Sequence, residues 1–342
     1  MIYLKKSVLL LFEGRKGVRR LKRLRWIGLI LMLAFVCVFS LPSAAEQAPV
    51  APKRPVALAA SPVQRGTFGE KPWLVRDQVP FLDATFHPEA AEGNKKVQID
   101  LSESHLGYVA VSVNSNKRFK FQVIHGDATY TYDVKSDGTP SVFPLQTGDG
   151  DYVFRAMENV SGKKYAQALQ LSRRVTLDDP FQPFLRPSDY SRYTADSRCV
   201  KKATDLAQDA KDQVEIVSAV YAYVNKTVRY DHMKAATVQS GYLPDPDETL
   251  KTRRGICFDY ASLAAAMLRS QGVPCKVIFG YVAPNQLYHA WNMFYTEETG
   301  WVTVSFKANG KDWTRMDLTF TANGQDDAFI GNGSNYTDLY FY

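Results

Sequence analysis

An α+β fold is predicted by three features of the 342-residue chain. Apolar residues alternate with period two between about residues 63 and 180. They recur every 3.6 positions between about residues 199 and 270, and strand-like runs return from residue 275. Strands, then helices, then antiparallel strands make an α+β order rather than repeated βαβ units. Apolar residues make up 45% and aromatics 13% of the chain, enough for packed cores and too much for a disordered polymer. No internal repeat is visible.

Residues 1–45 read as a signal peptide. A basic stretch is followed by WIGLILMLAFVCVFSL, residues 26–41, without a charge, and Ser43 and Ala45 supply the small residues of a cleavage site. An uncleaved anchor is the alternative, but sixteen apolar residues fall short of the ~20 that span a bilayer comfortably. In either case the remainder is expected outside the cytoplasm, secreted or tethered to the membrane by this segment alone. Residues 46–62, EQAPVAPKRPVALAASP, then read as an extended Pro/Ala-rich tether.

The net charge of +7 is a property of the leader. Nine Lys and Arg and one acid, Glu13, fall within residues 1–25; the other 33 basic and 34 acidic residues leave the rest at −1. No nucleic-acid partner is expected from that balance.

Residues 63–180 are expected to form a small antiparallel β-sandwich. Val97, Ile99 and Leu101 share one strand face, as do Val109, Val111 and Val113, then Phe119, Phe121 and Val123, then Tyr130, Tyr132 and Val134. Turn residues separate these runs at Asn114-Ser-Asn116, His125-Gly-Asp127, Asp137-Gly138, Gly148-Asp-Gly150 and Ser161-Gly162. The proline-bearing stretch DDPFQPFLRPSDY, residues 178–190, ends that pattern, and a second domain is expected over 181–342.

There Cys199, Ala203, Leu206 and Ala210 line one helical face. Asp212 stands as an N-cap before a helix with Val217, Val220, Tyr221 and Val224. A third helix is expected from about Cys257 to Ser270, with Tyr260, Leu263, Ala264, Met267 and Leu268 as its apolar stripe and Gly272 and Pro274 as its stop. CKVIFGYV, HAWNMFYT, GWVTVSFKA and KDWTRMDLTF read as strands, with Asn309-Gly310 as a hairpin turn and FIGNGSNYTDLYFY as a final edge strand.

Removing the leader leaves Cys199, Cys257 and Cys275, too few for a disulfide framework. A Cys199–Cys275 bridge and two small buried residues are both compatible with the sequence. There is no CxxC pair and no HExxH motif, so a structural zinc site has no support, and nucleophilic chemistry at a cysteine needs neither a metal nor an organic cofactor.

Cys257 follows Gly255 at the start of a helix, where unpaired N–H groups and the helix dipole favour a thiolate and could hold an oxyanion. Taken alone, a core residue explains such a cysteine as well. His289 opens a strand in YHAWNMFY, and Asp317 stands mid-strand in WTRMDLTF, where an acid is disfavoured unless it has a partner. Asp317 could orient an imidazole whose other nitrogen faces Cys257. Asp312, beside the hairpin turn, is the competing carboxylate.

In that order, GICFDYASLAAAMLRSQGVPCKVIFGYV, YHAWNMFY and WTRMDLTF resemble the core of the transglutaminase-like superfamily, over about residues 190–342. ETLKTRRG and Tyr230 in VRYD resemble its pattern too. Leu318 departs from it, standing where the family often has proline. The resemblance implies a papain-like core with Cys257 as nucleophile, His289 as general base and acid, and Asp317 orienting the imidazole. It further implies a cysteine acyltransferase, peptidase or amidase acting on protein or peptide substrates. Export makes peptides of the cell envelope or peptidoglycan the expected targets. Nothing in the sequence provides an amine site, so hydrolysis is favoured over cross-linking. A non-catalytic surface scaffold with a degenerate core is the competing function.

Overall fold

The computed structural model describes residues 81–283, 285–296, 300–303 and 336–342. The expected leader, the tether, the Asn309-Gly310 turn and the strand expected at WTRMDLTF lie outside these residues.

The alternating segments form eight strands: β1 (Glu92–Gly93), β2 (Val97–Asp100), β3 (Tyr108–Val113), β4 (Phe119–His125), β5 (Ala128–Val134), β6 (Ser141–Pro144), β7 (Gly150–Ser161) and β8 (Lys164–Val175). They make two antiparallel four-stranded sheets, ordered β1-β2-β3-β6 and β5-β4-β7-β8. Alternation decides which side chains enter the core. Phe119, Phe121 and Val123 of β4, Tyr130 and Tyr132 of β5, and Tyr152, Phe154 and Ala156 of β7 are all buried. The sheets meet where Phe143 of β6 stacks on Tyr132 at 4.0 Å and on Phe121 at 5.7 Å.

The alternation breaks most fully in β3. In β3, Tyr108 through Val111 are all buried, because chain from outside the sandwich covers the second face. Arg186 lies over the Tyr108 ring and donates to the Asp83 carbonyl. Residues 178–193 lie against this sheet: the Asp189 N–H donates to the Val142 carbonyl at 2.9 Å, and the Val142 N–H donates to Asp189 Oδ1 at 3.2 Å. The proline-bearing stretch is therefore a packed strap, with Phe181, Phe184, Leu185, Tyr190 and Tyr193 buried.

Beyond the strap come α1 (Arg198–Ala207), α2 (Gln213–Thr227), β9 (Arg229–Tyr230), α3 (His232–Thr237), α4 (Pro246–Thr252), β10 (Arg254–Gly255) and α5 (Cys257–Arg269). Asp212 caps α2 as its sequence position predicts, accepting from the Glu215 N–H at 2.8 Å. The cap of α1 is remote: Asp247 of α4 accepts from the N–H groups of Arg198 and Cys199. The chain then forms β11 (Cys275–Val282), β12 (Leu287–Thr296), β13 (Gly300–Thr303) and β14 (Tyr336–Phe341), an antiparallel sheet ordered β13-β12-β11-β14. The tail strand expected from the sequence stands at one end of this described sheet. Gly280 faces a bulge between β11 and β14, where a Cβ would lie 2.0 Å from the Thr337 carbonyl oxygen.

Helix α5 is covered on all sides: every residue from Phe258 to Arg269 is buried. The stripe expected from the sequence is narrower and leaves out Ala261, Ala265 and Ala266. Their small side chains instead let neighbouring elements approach on the other faces. One hydrophobic cluster runs from the sandwich into this region. At the join, Tyr190 stacks on Tyr342 at 3.9 Å and approaches Phe258 at 5.6 Å, and Tyr132 meets both Tyr190 and Tyr342.

Candidate active site at the start of helix α5

The approach to α5 is held by a short parallel ladder. Gly255 of β10 stands opposite Tyr230 of β9, and the Asp231 N–H donates to the Gly255 carbonyl at 2.9 Å. A Cβ at Gly255 would fall 2.5 Å from the Cβ of Asp259. The position therefore needs glycine, because the Asp259 side chain folds back against the incoming chain.

Cys257 is the first residue of α5 and is half-buried, whereas Cys199 and Cys275 are fully buried. All three are free thiols, so the Cys199–Cys275 bridge does not form. Burial pushes the Cys199 thiol far up, with the Asp247 carboxylate adding to the effect, and burial pushes Cys275 up to about 12. These two are small apolar packing residues in all but name.

His289 lies on β12, 3% exposed and paired across the sheet with Gly280; its ring stacks 6.1 Å from that of Trp291. Three contacts set α5 against β11 and β12. Phe258 packs on Phe279, which pairs with Ala290. Asn292 Nδ2 donates to the Ala261 carbonyl at 2.9 Å. Arg269 Nε donates to the carbonyl of Cys275, which pairs with Phe294. Helix start thus lies level with residues 289–290 and helix end level with residue 294. Cys257 and His289 come to the same end of one helix–strand pair. Asp317 and its competitor Asp312 lie outside the described residues.

The surroundings of the sulfur are aromatic. Burial pushes the Tyr230 hydroxyl up to about 12, and nearby charge at Cys257 and Asp259 adds to this. Burial likewise pushes Tyr288 well up, with Tyr340 and Cys257 contributing. Both hydroxyls stay protonated wherever a thiol titrates, and so remain neutral hydrogen-bond donors. Trp291 packs with Ile278, Val282, Phe184 and Phe341; Trp313 lies outside the described residues. Lys251 pairs with Glu248 on exposed α4. Among the described residues no group of three His, Cys, Asp or Glu is placed to hold a metal ion, and no helix is long and apolar enough to cross a membrane.

A cysteine at the head of a buried helix, backed by an antiparallel sheet with a histidine at the same end, is the framework of the papain-like α+β class. Residues 200–306 match the model of the transglutaminase-like superfamily. Similar proteins include the kyphoscoliosis peptidase of Mus musculus, 29% identical over 144 residues, which cover 39% of this chain and 22% of that protein. A protein-glutamine gamma-glutamyltransferase of Pseudomonas aeruginosa is 30% identical over 115 residues, covering 30% of this chain and 17% of that one. The chain therefore matches about a fifth of the length of these relatives. The periplasmic domain of TgpA from Pseudomonas aeruginosa aligns in structure with a TM-score of 0.33 at 16% identity, covering 69% of this chain and 74% of that domain.

Sequence reasoning missed what lies beside Cys257. Asp259 reads as a first-turn acid placed for the helix dipole, yet it is completely buried and bonded to Lys234 and Tyr242. The available signal was its isolation: it is the one acid in the run CFDYASLAAAML. Nothing local marks Lys234, 25 residues earlier in the chain, as its partner.

Proposed function

We propose that this protein is an exported cysteine enzyme that opens amide or peptide bonds by acyl transfer through Cys257, His289 and Asp317. The Cys257 sulfur attacks the carbonyl carbon and forms a thioester as the C–N bond breaks. His289 takes the thiol proton and delivers it to the departing amine or ammonia. Asp317 fixes the imidazole orientation. Water then adds to the thioester with His289 as base, releasing the acid and restoring the thiol. The observation that carries this reading is the contrast among the described cysteines: of the three, Cys257 is the half-buried one, at a helix start and level with a histidine.

Water is favoured over an amine as acceptor. Water stands at ~55 M, so an amine competes only in a cleft that binds it and excludes solvent. Tyr288 and Trp291 help to dry the cleft, but the preceding stretch SGYLPDPDETLK is polar. The relatives' names include both a peptidase and a glutamyltransferase, so they leave this choice open. Protein or peptide chains of the cell envelope, peptidoglycan peptides included, are the proposed substrates, reached by way of the leader and tether.

The test is to offer the mature protein a glutamine-containing acceptor together with a fluorescent primary amine. New peptide termini or released amine without incorporation, absent in Cys257→Ala, support hydrolysis. Covalent label that appears with wild type and not with Cys257→Ala overturns the preference for water. No product of either kind points to the scaffold.

A further inference from the structure

The unused feature of greatest consequence is the buried carboxylate two residues after Cys257. Asp259 is 0% exposed. It accepts from the Ile256 N–H at 2.7 Å, which satisfies one of the unpaired donors at the helix start. It also accepts from the Tyr242 hydroxyl. The Lys234 ammonium reaches both of its oxygens, at 2.9 Å and 2.8 Å, and lies 4.4 Å from the Tyr242 ring centroid. Lys234 is held in turn: Asp231 caps α3 by accepting from the Lys234 N–H at 2.9 Å.

A carboxylate in the first turn suits the helix but works against a thiolate two residues away. Both are anions, and both draw on the same positive end of the dipole. An ammonium on the carboxylate makes the pair neutral and leaves the dipole to the sulfur. We infer that Lys234 and Asp259 form a positioning ion pair, anchored by Tyr242, that sets the pH at which Cys257 becomes a nucleophile. The inference rests on the reading of Cys257 as the attacking group.

Among the described residues the titratable groups around Cys257 and Asp259 include Tyr230, Lys234, Tyr242, Tyr260 and Tyr288, with the Asp245 charge acting on Tyr242 and the His232 ring edge-on to Tyr230 at 5.1 Å. Burial pushes all four tyrosine hydroxyls upward, with the Asp259 charge adding to the effect at Tyr242. They do not ionise between pH 5 and 9. The ion pair is thus the charged contact made by the head of α5 itself. The geometry gives the pair a signature that a packing defect does not have: removing its two ends moves the thiol in opposite directions.

The experiment measures the rate of Cys257 alkylation by iodoacetamide against pH in the full chain, with labelled sites identified by peptide mapping. Lys234→Met leaves the carboxylate unpaired and should shift the profile up by about one unit, a tenfold slower reaction at pH 6. Asp259→Asn keeps an acceptor for the Ile256 N–H but frees the ammonium, and should shift the profile down. Lys234→Arg should restore the wild-type profile, and Lys234→Met with Asp259→Asn should return it close to wild type. A wild-type profile below that of an ordinary thiol but unmoved by Lys234→Met and Asp259→Asn, or moved in the same direction by both, overturns the ion pair alone. An ordinary thiol profile in wild type, with turnover surviving in Cys257→Ala, overturns the nucleophile reading and the pair's role with it.

Discussion

The sandwich and the helix-and-sheet region bury different kinds of side chain. Within β1 to β8 and their connections the buried polar residues are Asp100, Ser141 and Gln146, and the interior is otherwise a stack of Phe, Tyr and Val. From residue 181 onward the described chain buries Arg186, Asp189, Asp259, Arg269, His289 and Asn292, among others. Taking a charge out of water costs several kcal/mol unless every bonding position finds a partner. Arg269 shows how that is met: its guanidinium donates to the carbonyls of Cys275, Arg186 and Tyr342, at 2.8, 2.9 and 2.9 Å. Area and packing hold the sandwich together. The second region adds directional bonds that fix where α5 and its neighbours stand.

The contrast is tested most severely by separating activity from stability. Cys257→Ala should cut turnover at least about a thousandfold and abolish rapid alkylation, while leaving the melting temperature close to wild type. His289→Ala should do nearly as much to turnover and should also slow alkylation of Cys257 at neutral pH. Full activity in His289→Ala would remove the histidine from the mechanism.

Phe154→Ala should do the reverse. Phe154 is fully buried between Phe121 and Tyr152, and its loss should cost about 3–5 kcal/mol in denaturant unfolding. Below the transition, the alkylation profile of Cys257 should not move. If the profile follows the sandwich mutation, the two regions are coupled more tightly than packing alone implies.

A smaller effect is expected at the cap of α2. Asp212→Ala removes the acceptor of the Glu215 N–H and should cost about 1 kcal/mol, read as a lower denaturant midpoint at unchanged slope.

The smallest concerns Asp100, the buried carboxylate of the sandwich. Burial acts to raise its carboxyl, but hydrogen bonds from Ser102 and His87 outweigh burial and hold it below the ordinary value. A folded-state value below the unfolded one contributes stability that is present above the unfolded value, near 4, and lost as pH falls through the folded one. Asp100→Asn should therefore flatten the acid limb of the stability profile below about pH 4, with little change between pH 6 and 8. A limb as steep as wild type would show that other carboxylates carry it.

Much of this was legible in the sequence wherever a residue's local neighbours decide its environment. Alternation placed Phe119, Phe121 and Val123 correctly because each strand has one covered face. Asp212 was legible as a cap because its partner is three residues away. The residues around Cys257 were legible only in part. Gly255, Cys257 and His289 stand out by type and spacing, but Lys234 and Tyr242 meet Asp259 only through the folding of the chain between α3 and α4. The strap at residues 178–193 was hidden for a related reason. Its prolines announce a break in periodicity, and periodicity says nothing about whether an irregular segment is covered.

Helix α5 is buried from Phe258 to Arg269 and tied to its neighbours by Asn292 and Arg269, and that has a consequence for motion. Its amide protons can reach solvent only when much of the surrounding structure opens, so they should exchange at the slow limit set by global unfolding. Cys257 is thus mounted on one of the stiffest parts of the molecule. Access to it must be governed by what surrounds it rather than by any movement of its own. The neighbouring α3 is tied to α5 as well, through Lys234 on Asp259, while its outer face, with Met233 74% exposed, is open to solvent.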